Sequence, residues 1–132
     1  MKRALAPLAL MLLPVMSACA IVPDTPMVRG EAEAQGRPVA LGQPVWQGDV
    51  ILTPLVVLED SRCPQDAQCV QAGKLTVSTR ITATHWQQTV PLTLGEPYGV
   101  MNRTIVLRSA APEQVAGQAI PPGAYRFTYG SR

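Results

Sequence analysis

The sequence is short of the residue types that most enzymes use for their chemistry. It contains one histidine, His85, and aromatic residues make up only 5% of its 132 residues. A serine or cysteine nucleophile needs a base that a third group orients, and one histidine allows at most one such arrangement. The sequence also has no glycine-rich phosphate loop and no nucleophile-elbow motif. We therefore expect a protein that is not an enzyme and that uses no cofactor.

The sequence also lacks an apolar run long enough for a permanent transmembrane helix. The longest candidate, residues 5–15, follows the basic start Met1-Lys2-Arg3. Its length fits the core of a signal peptide, whereas a transmembrane helix needs about 20 apolar residues. The pattern predicts a signal peptide over residues 1–18 and therefore export.

Cysteine is scarce as well, and the first of the three follows this apolar run directly. Residues 16–19 read Met-Ser-Ala-Cys and resemble the bacterial lipobox, whose cysteine is lipidated and becomes the first mature residue. The alternative is a plain signal peptide cut near Ala18 or Ala20. Lipidation of Cys19 leaves an even pair of cysteines for an oxidising compartment, which favours the lipoprotein. The resemblance implies acyl chains such as palmitate at Cys19, and Ala20 in place of aspartate favours the outer membrane.

A surplus of charge is missing from the expected mature chain. Two of the eleven Lys and Arg residues, Lys2 and Arg3, belong to the signal peptide, and the remaining nine face nine Asp and Glu residues. A neutral domain produces no long-range field that would attract a polyanion. We therefore expect no nucleic acid among the partners.

The residues after the signal peptide divide into a tether and one domain. Residues 19–36 contain Pro23, Pro26 and Gly30 and show little apolar periodicity. Such a composition buries too little surface to offset the entropy of ordering, so we expect a flexible tether that follows the lipidated Cys19. A short helix over residues 31–35 is the alternative. Residues 37–132 are predicted to form one β domain.

Alternating apolar and polar residues in this domain are typical of half-buried strands. Residues 74–83 place Leu75, Val77 and Ile81 on the inner side, and Tyr125, Phe127 and Tyr129 share one face of the last strand. Further strands are predicted over residues 38–41, 45–46, 90–94 and 101–109. Six or seven short strands separated by turn signals predict an all-β fold, a single antiparallel β-sandwich or small barrel.

Three other segments give weaker signals. Residues 50–58 are apolar at almost every position, which predicts a strand covered on both sides, with Pro54 at a bulge or an edge. Pro91 in the strand over residues 90–94 suggests another edge. Residues 95–99 are expected to form a loop, and one helical turn is expected after Pro112.

The two remaining cysteines lie in a stretch rich in charge, proline and glycine. Cys63 and Cys69 enclose five residues between two predicted core strands. We expect a disulfide that braces this turn and stabilises the fold by about 2 kcal/mol. The alternative is a catalytic redox pair, which usually has two intervening residues in a thioredoxin-like fold.

The same stretch resembles a family of small exported bacterial domains, many of which carry lipoprotein signals. The resemblance rests on Asp-Ser-Arg-Cys-Pro at residues 60–64, on Cys-Val at 69–70, on Ala-Gly at 72–73 and on the closing Tyr-Arg-Phe at 125–127. It covers about residues 41–128. The resemblance implies a small β domain and supplies no catalytic residue.

The other candidate site residues are carboxylates and aromatics. Oxygen atoms of Glu59, Asp60 and Asp66 offer a calcium site in principle, but their spacing differs from the EF-hand loop. We expect instead that Asp60 or Asp66 caps turn amides. We predict that Asp60 and Arg62 form a polar rim pair, which contributes little to stability if it is exposed. We predict no metal site. Two aromatics, Trp86 and Tyr98, are candidates for binding a protein or glycan partner.

Three functions remain open from these observations. The first is a non-catalytic envelope lipoprotein that the lipid at Cys19 holds at the outer membrane, on its periplasmic side or at the surface, where it binds or scaffolds an unidentified envelope protein or glycan. The second is an inhibitor of a lysozyme or protease, which would use a protruding loop at residues 95–99 or the cysteine turn. The third is a small hydrolase with paired carboxylates among Glu59, Glu96 and Glu113.

Overall fold

The computed structural model describes residues 28–132. The described chain is nearly all β, as predicted, with seven strands and one short 3-10 helix. In chain order these are β1 Val45–Gln47, β2 Val50–Asp60, β3 Leu75–Thr82, β4 Gln87–Thr93, β5 Pro97–Val100, β6 Arg103–Ala111, the 3-10 helix Pro122–Ala124 and β7 Arg126–Ser131. The predicted signal peptide 1–18, the lipidated Cys19 and residues 20–27 of the tether lie outside the described residues.

The strands form two antiparallel sheets, which confirms the predicted sandwich-like arrangement and corrects the small barrel offered beside it. The first sheet has the order β1-β2-β3-β4 and the second has the order β5-β6-β7. Strands β3 and β4 are joined in a continuous register from Thr76–Thr93 to Thr82–Gln87. Pro91 lies on β4, an edge strand, where its missing N–H donor is tolerated.

The core lies between the sheets and follows the alternation seen in the sequence. On β3 the buried residues Leu75, Val77, Thr79 and Ile81 alternate with half-buried ones. On the facing side β7 buries Phe127 and Tyr129, and the Tyr125 and Phe127 rings stack with centroids 5.6 Å apart. These residues confirm the two faces that period-2 patterning predicted.

One polar bond crosses this core. The hydroxyls of Thr79 on β3 and Tyr129 on β7 lie 3.0 Å apart, so both buried groups are satisfied. Burial raises the pKa of Tyr129, and the hydrogen bond with Thr79 opposes that rise only in part. Tyr129 therefore remains a neutral hydroxyl that joins the two sheets.

Strand β2 is covered on both sides over its first half only, so the prediction of two-sided cover is wrong for the second half. Leu52 and Thr53 are buried, but Val56 and Leu58 expose 48% and 58% of their surface. Strand β1 pairs with residues 50–52 only. Beyond that point β2 continues through two register shifts, the first of which lies at Pro54, where the sequence predicted a bulge or an edge.

Three local predictions are also corrected. The loop expected over residues 95–99 contains the start of β5, because Pro97–Val100 pairs with β6. The strand expected over residues 38–41 is a single bridge, in which Val39 and Phe127 exchange backbone hydrogen bonds of 2.9 and 2.8 Å. Residues 113–118 contain no helical turn; Val115 and Gln118 form a bridge across a tight turn instead.

Residues 28–36 contact the domain, although the sequence placed them in the tether. The Arg29 amide donates to the Gly42 carbonyl at 2.8 Å, and the Glu33 carbonyl accepts from the Trp46 amide at 2.9 Å. Glu33 forms a parallel bridge with Val45 on β1. The packed part of the chain therefore includes residues before Arg37. Within residues 28–132, no helix has the length and apolar character needed to cross a membrane.

Candidate functional site

The cysteine turn, residues 61–74, connects β2 to β3 and is braced as the sequence predicted. Cys63 and Cys69 form a disulfide with a Cα–Cα distance of 5.9 Å. Below the disulfide the ladder between the two strands continues, because the Ser61 amide donates to the Lys74 carbonyl at 2.8 Å and the Cys63 amide donates to the Ala72 carbonyl at 3.0 Å. The turn is therefore a closed extension of a hairpin.

Gly73 allows this close approach of the two sides. Its φ is +66°, in the left-handed region that favours glycine, and a Cβ at this position would lie 1.7 Å from the Ser61 carbonyl oxygen. The Ser61 hydroxyl accepts a hydrogen bond from the Lys74 amide at 3.0 Å in the same place. No side chain fits at residue 73 without displacing backbone.

At the base of the cysteine turn, Asp60 and Arg62 form an ion pair with two hydrogen bonds. Both hydrogen bonds from the Arg62 guanidinium to the Asp60 carboxylate measure 2.8 Å. The side chains of Arg62 and Asp60 expose only 14% and 7% of their area. The predicted pair is therefore present, and the condition under which it would contribute little does not apply, because it is shielded from water. It also has the fork geometry that makes Arg–carboxylate bonds strong.

This ion pair attaches the turn to the second sheet. Arg62 also donates to the carbonyls of Ala110 at 3.2 Å and Pro112 at 3.1 Å, at the end of β6. The Tyr125 hydroxyl, just before β7, donates to the Asp60 carboxylate at 2.7 Å. Asp60 and Arg62 thus join the end of the first sheet to both neighbouring segments of the second.

The ionisation of the three groups follows from these contacts. Burial opposes a charge on Asp60 and by itself would raise its pKa, but the hydrogen bonds from Arg62 and Tyr125 outweigh burial and lower the pKa to about 2. The bond with Asp60 raises the pKa of Arg62. Burial, together with the bond to Asp60, raises the pKa of Tyr125 to about 12. At neutral pH the cluster is a fixed arrangement of carboxylate, guanidinium and neutral phenol.

A second set of bonds holds the turn against the loop between β6 and β7. The Gln65 amide donates to the Gln114 carbonyl at 2.9 Å, and the Gln114 side chain donates to the Asp60 carbonyl at 2.8 Å. The Asp66 carboxylate accepts from the Ala116 amide at 2.9 Å. Asp66 therefore caps an amide, as the sequence predicted, although the amide belongs to a distant loop.

The far part of the cysteine turn is open to solvent. Residues 65–74 are all exposed, and Val70 keeps its full side-chain surface free. An apolar side chain on a fixed, exposed turn can contact a partner without losing much conformational freedom, so binding needs little ordering of the turn. We take the cysteine turn as the candidate functional site.

The two aromatics proposed from the sequence lie elsewhere and are partly used by the core. Trp86 and Tyr98 are half-buried and pack against the core. Trp86 lines a groove of about 390 Å³ together with His85, Met101 and Arg103, at the end of the sandwich away from the cysteine turn, and Tyr98 is not among its lining residues. The structure does not bring the two aromatics together in one site.

The three glutamates considered for hydrolysis do not line the groove beside His85. In the groove beside His85, the Asp49 carboxylate bonds Arg103 at 2.7 Å. Glu59 binds Lys74 at 3.3 Å, and the groove that Glu113 lines contains neither Glu59 nor Glu96. Within residues 28–132, no three His, Cys, Asp or Glu side chains are grouped as metal ligands.

Comparisons with family models, with curated proteins and with solved structures gave no match to this chain. Its function is therefore argued from its own residues. Sequence reasoning had singled out Asp60, Arg62 and the cysteines but had missed Tyr125 as their partner. The signal available for Tyr125 was its place in the apolar alternation of the last strand, and that pattern does not reveal a hydrogen bond across 65 residues.

Proposed function

We propose that the protein is a non-catalytic lipoprotein of the cell envelope and that its cysteine turn binds another envelope component. The binding proposal rests on the difference between the two ends of the turn. The disulfide and the Asp60–Arg62–Tyr125 cluster hold the base in place, whereas Val70 at the tip is completely exposed. A surface that is already ordered before binding keeps more of its contact energy as affinity.

The partner is expected to be a protein rather than a polyanion or a membrane surface. The expected mature chain is neutral, with nine basic and nine acidic residues, so it has no field to concentrate such partners. Interfaces between proteins are centred on apolar side chains surrounded by polar ones. Val70, which lies between the exposed polar residues Gln68 and Gln71, has these surroundings.

Binding at the turn is tested by capture from envelope extract with matched valine substitutions. Val70→Ser should leave the fold intact, because the Val70 side chain is fully exposed. It should lower the recovery of the captured protein at least tenfold, because the proposed apolar contact with the partner is lost. Val56→Ser, at an exposed valine on β2, is the control and should capture as wild type does. Equal capture by both variants would remove the cysteine turn as the binding surface.

The anchoring half of the proposal rests on residues 1–20. Lipid chains at Cys19 would each add about 0.8 kcal/mol per buried methylene, enough in combination for stable attachment. We expect radiolabelled palmitate to enter the protein and the Cys19→Ala form to leave the membrane fraction. Absence of label, with Cys19→Ala still bound to the membrane, would rule out the lipid anchor.

A second candidate function is inhibition of a lysozyme or protease. The braced turn with Val70 at its tip favours it, because a rigid protruding segment suits insertion into an enzyme cleft. The other segment expected to protrude, residues 95–99, leads into β5 and no longer supports it. A panel of muramidases and proteases should contain at least one enzyme that wild type inhibits and Val70→Ser does not. No inhibition across the panel would exclude this function.

A further inference from the structure

Arg80 occupies the middle of the outer face of the first sheet. In the strand register it lies between Thr53 on β2 and Thr89 on β4, and its neighbours along β3 on the same face are Ser78 and Thr82. Its surroundings on the sheet are therefore hydroxyl groups, not carboxylates.

A groove of about 300 Å³ runs over this part of the sheet and includes Arg80 among its lining residues. One side is formed by residues outside the strands, which include Gly30, Ala32 and Pro44. The floor is formed by Arg80, Thr53 and Thr82. The volume is close to that of about ten water molecules, so it has room for one or two amino-acid residues of a ligand.

The guanidinium in this groove has hydrogen-bonding capacity that the described residues do not use. Its Nε atom is shielded from solvent and donates to no atom of residues 28–132. The three ion pairs of the described chain involve Arg62, Lys74 and Arg103, so Arg80 has no carboxylate partner among these residues. The positive charge of Arg80 is therefore available to an anionic ligand that enters the groove.

We propose that this groove binds a small carboxylate ligand, or the carboxylate end of a peptide, through Arg80. The two terminal nitrogens of a guanidinium present parallel donors that match the two oxygens of a carboxylate, so the ligand does not need to reach the shielded Nε. Arg80 is the only cationic residue that lines the groove among the described residues, so the site balances a single negative charge. The aliphatic surface of Ala32, Pro44 and Ile51 suits the small apolar part of such a ligand.

The site is independent of the cysteine turn. Trp46 lies on the same face of the sheet, opposite Ile51 in the register, and 44% of its surface is exposed. Its fluorescence is therefore expected to report on occupancy of the groove. Partner binding through Val70 and carboxylate binding through Arg80 can be measured separately.

The test is a titration of the full chain in detergent with N-acetyl-alanyl-alanine, with its C-terminal amide and with inorganic phosphate. We expect a saturable change in tryptophan fluorescence and a shift of the Arg80 side-chain N–H signal in NMR spectra with the free acid, and neither with the amide. Arg80→Gln should weaken binding at least tenfold and Arg80→Lys at least threefold. Arg37→Gln, at an exposed arginine outside the groove, is the control and should bind as wild type does.

Three results would overturn the proposal. One is the absence of a saturable change with the free acid in wild type. Another is equal binding of the acid and the amide, which would show that the carboxylate is not recognised. The third is a shift of the Arg80 signal with phosphate alone. Because wild type is measured directly, the conclusion does not depend on whether Arg80→Gln folds.

Discussion

Asp60 accepts hydrogen bonds from two segments that are far apart in the chain, and only its ionised form fits them. Its pKa falls from the ordinary value of 3.8 to about 2 in the folded protein. A lowered pKa means that the unfolded chain takes up the proton first as pH falls. The stabilisation is therefore complete above about pH 4 and is lost as pH falls through 2. The difference between the two pKa values corresponds to roughly 2 kcal/mol in the free energy of unfolding.

We predict that Asp60→Asn lowers the free energy of unfolding at pH 7 by at least about 2 kcal/mol and flattens its dependence on pH between 4 and 2. Urea unfolding at several pH values measures both. Asp49→Asn is the control, because Asp49 pairs with Arg103 while 73% of its side chain is exposed. Exposed pairs contribute about 0–1 kcal/mol. Equal losses for the two variants would contradict a special role for Asp60.

A comparison of alanine substitutions at Gly73 and Gly48 distinguishes the cost of a positive φ from the cost of a steric clash. Both have a positive φ, +66° and +64°, but a Cβ would meet the Ser61 carbonyl at residue 73 and nothing within 4 Å at residue 48. We predict that Gly48→Ala costs roughly 1 kcal/mol, which is the conformational penalty alone. Gly73→Ala should cost at least about 2 kcal/mol more, because backbone must shift. Thermal unfolding of the two variants is the measurement, and equal losses would show that the turn is open at residue 73.

At the scale of elements, the sequence predicted strands best where one side faces the core and the other faces solvent. Strand β3 alternates cleanly, and its buried residues match the pattern one by one. Strand β2 was harder because its apolar residues do not alternate; Val56 and Leu58 look like core residues in sequence but are exposed. Whether a side chain on β2 is covered depends on segments that are distant in sequence, and an unbroken apolar run does not reveal where that cover ends.

Short paired elements could not be predicted from the sequence either. The first residues of β5 follow a Gly95 turn and contain Pro97 and Gly99, a composition typical of a loop, yet they pair with β6 along their whole length. Val39 makes only one bridge, because the chain turns at Gly42 before a strand can extend. For β5, pairing with β6 outweighed the local preference for a loop. At Val39, the turn of the chain limited the pairing to one bridge.

The disulfide is the element that closes the cysteine turn, but it is not the only bond that does so. We predict that replacing both Cys63 and Cys69 by serine lowers the free energy of unfolding by about 2 kcal/mol and leaves a folded domain. The ladder at the base and the Asp60–Arg62 pair should keep the turn attached. Hydrogen exchange should therefore become faster for residues 64–71 and stay slow for Ser61 and Lys74. Fast exchange at Ser61 as well would show that the disulfide alone holds the turn.

At the scale of the whole molecule, the candidate site combines segments that are widely separated in sequence. The residues of the turn could be recognised from their composition and spacing. Their attachment could not, because Arg62 bonds the carbonyls of Ala110 and Pro112, and backbone acceptors have no sequence signature. The sandwich brings the end of β2 next to the end of β6 and the start of β7. The contacts with these segments shield the Asp60–Arg62 pair from water.

The central claim is that this shielded cluster holds the cysteine turn ready to bind a partner. The most direct measurement is photo-crosslinking in intact cells, with a benzophenone amino acid placed at residue 70 or, as a control, at residue 56. The account predicts a discrete adduct at residue 70 that is absent at residue 56 and is weakened when Asp60→Asn is added. The same adducts at both positions, or none at residue 70, would contradict it.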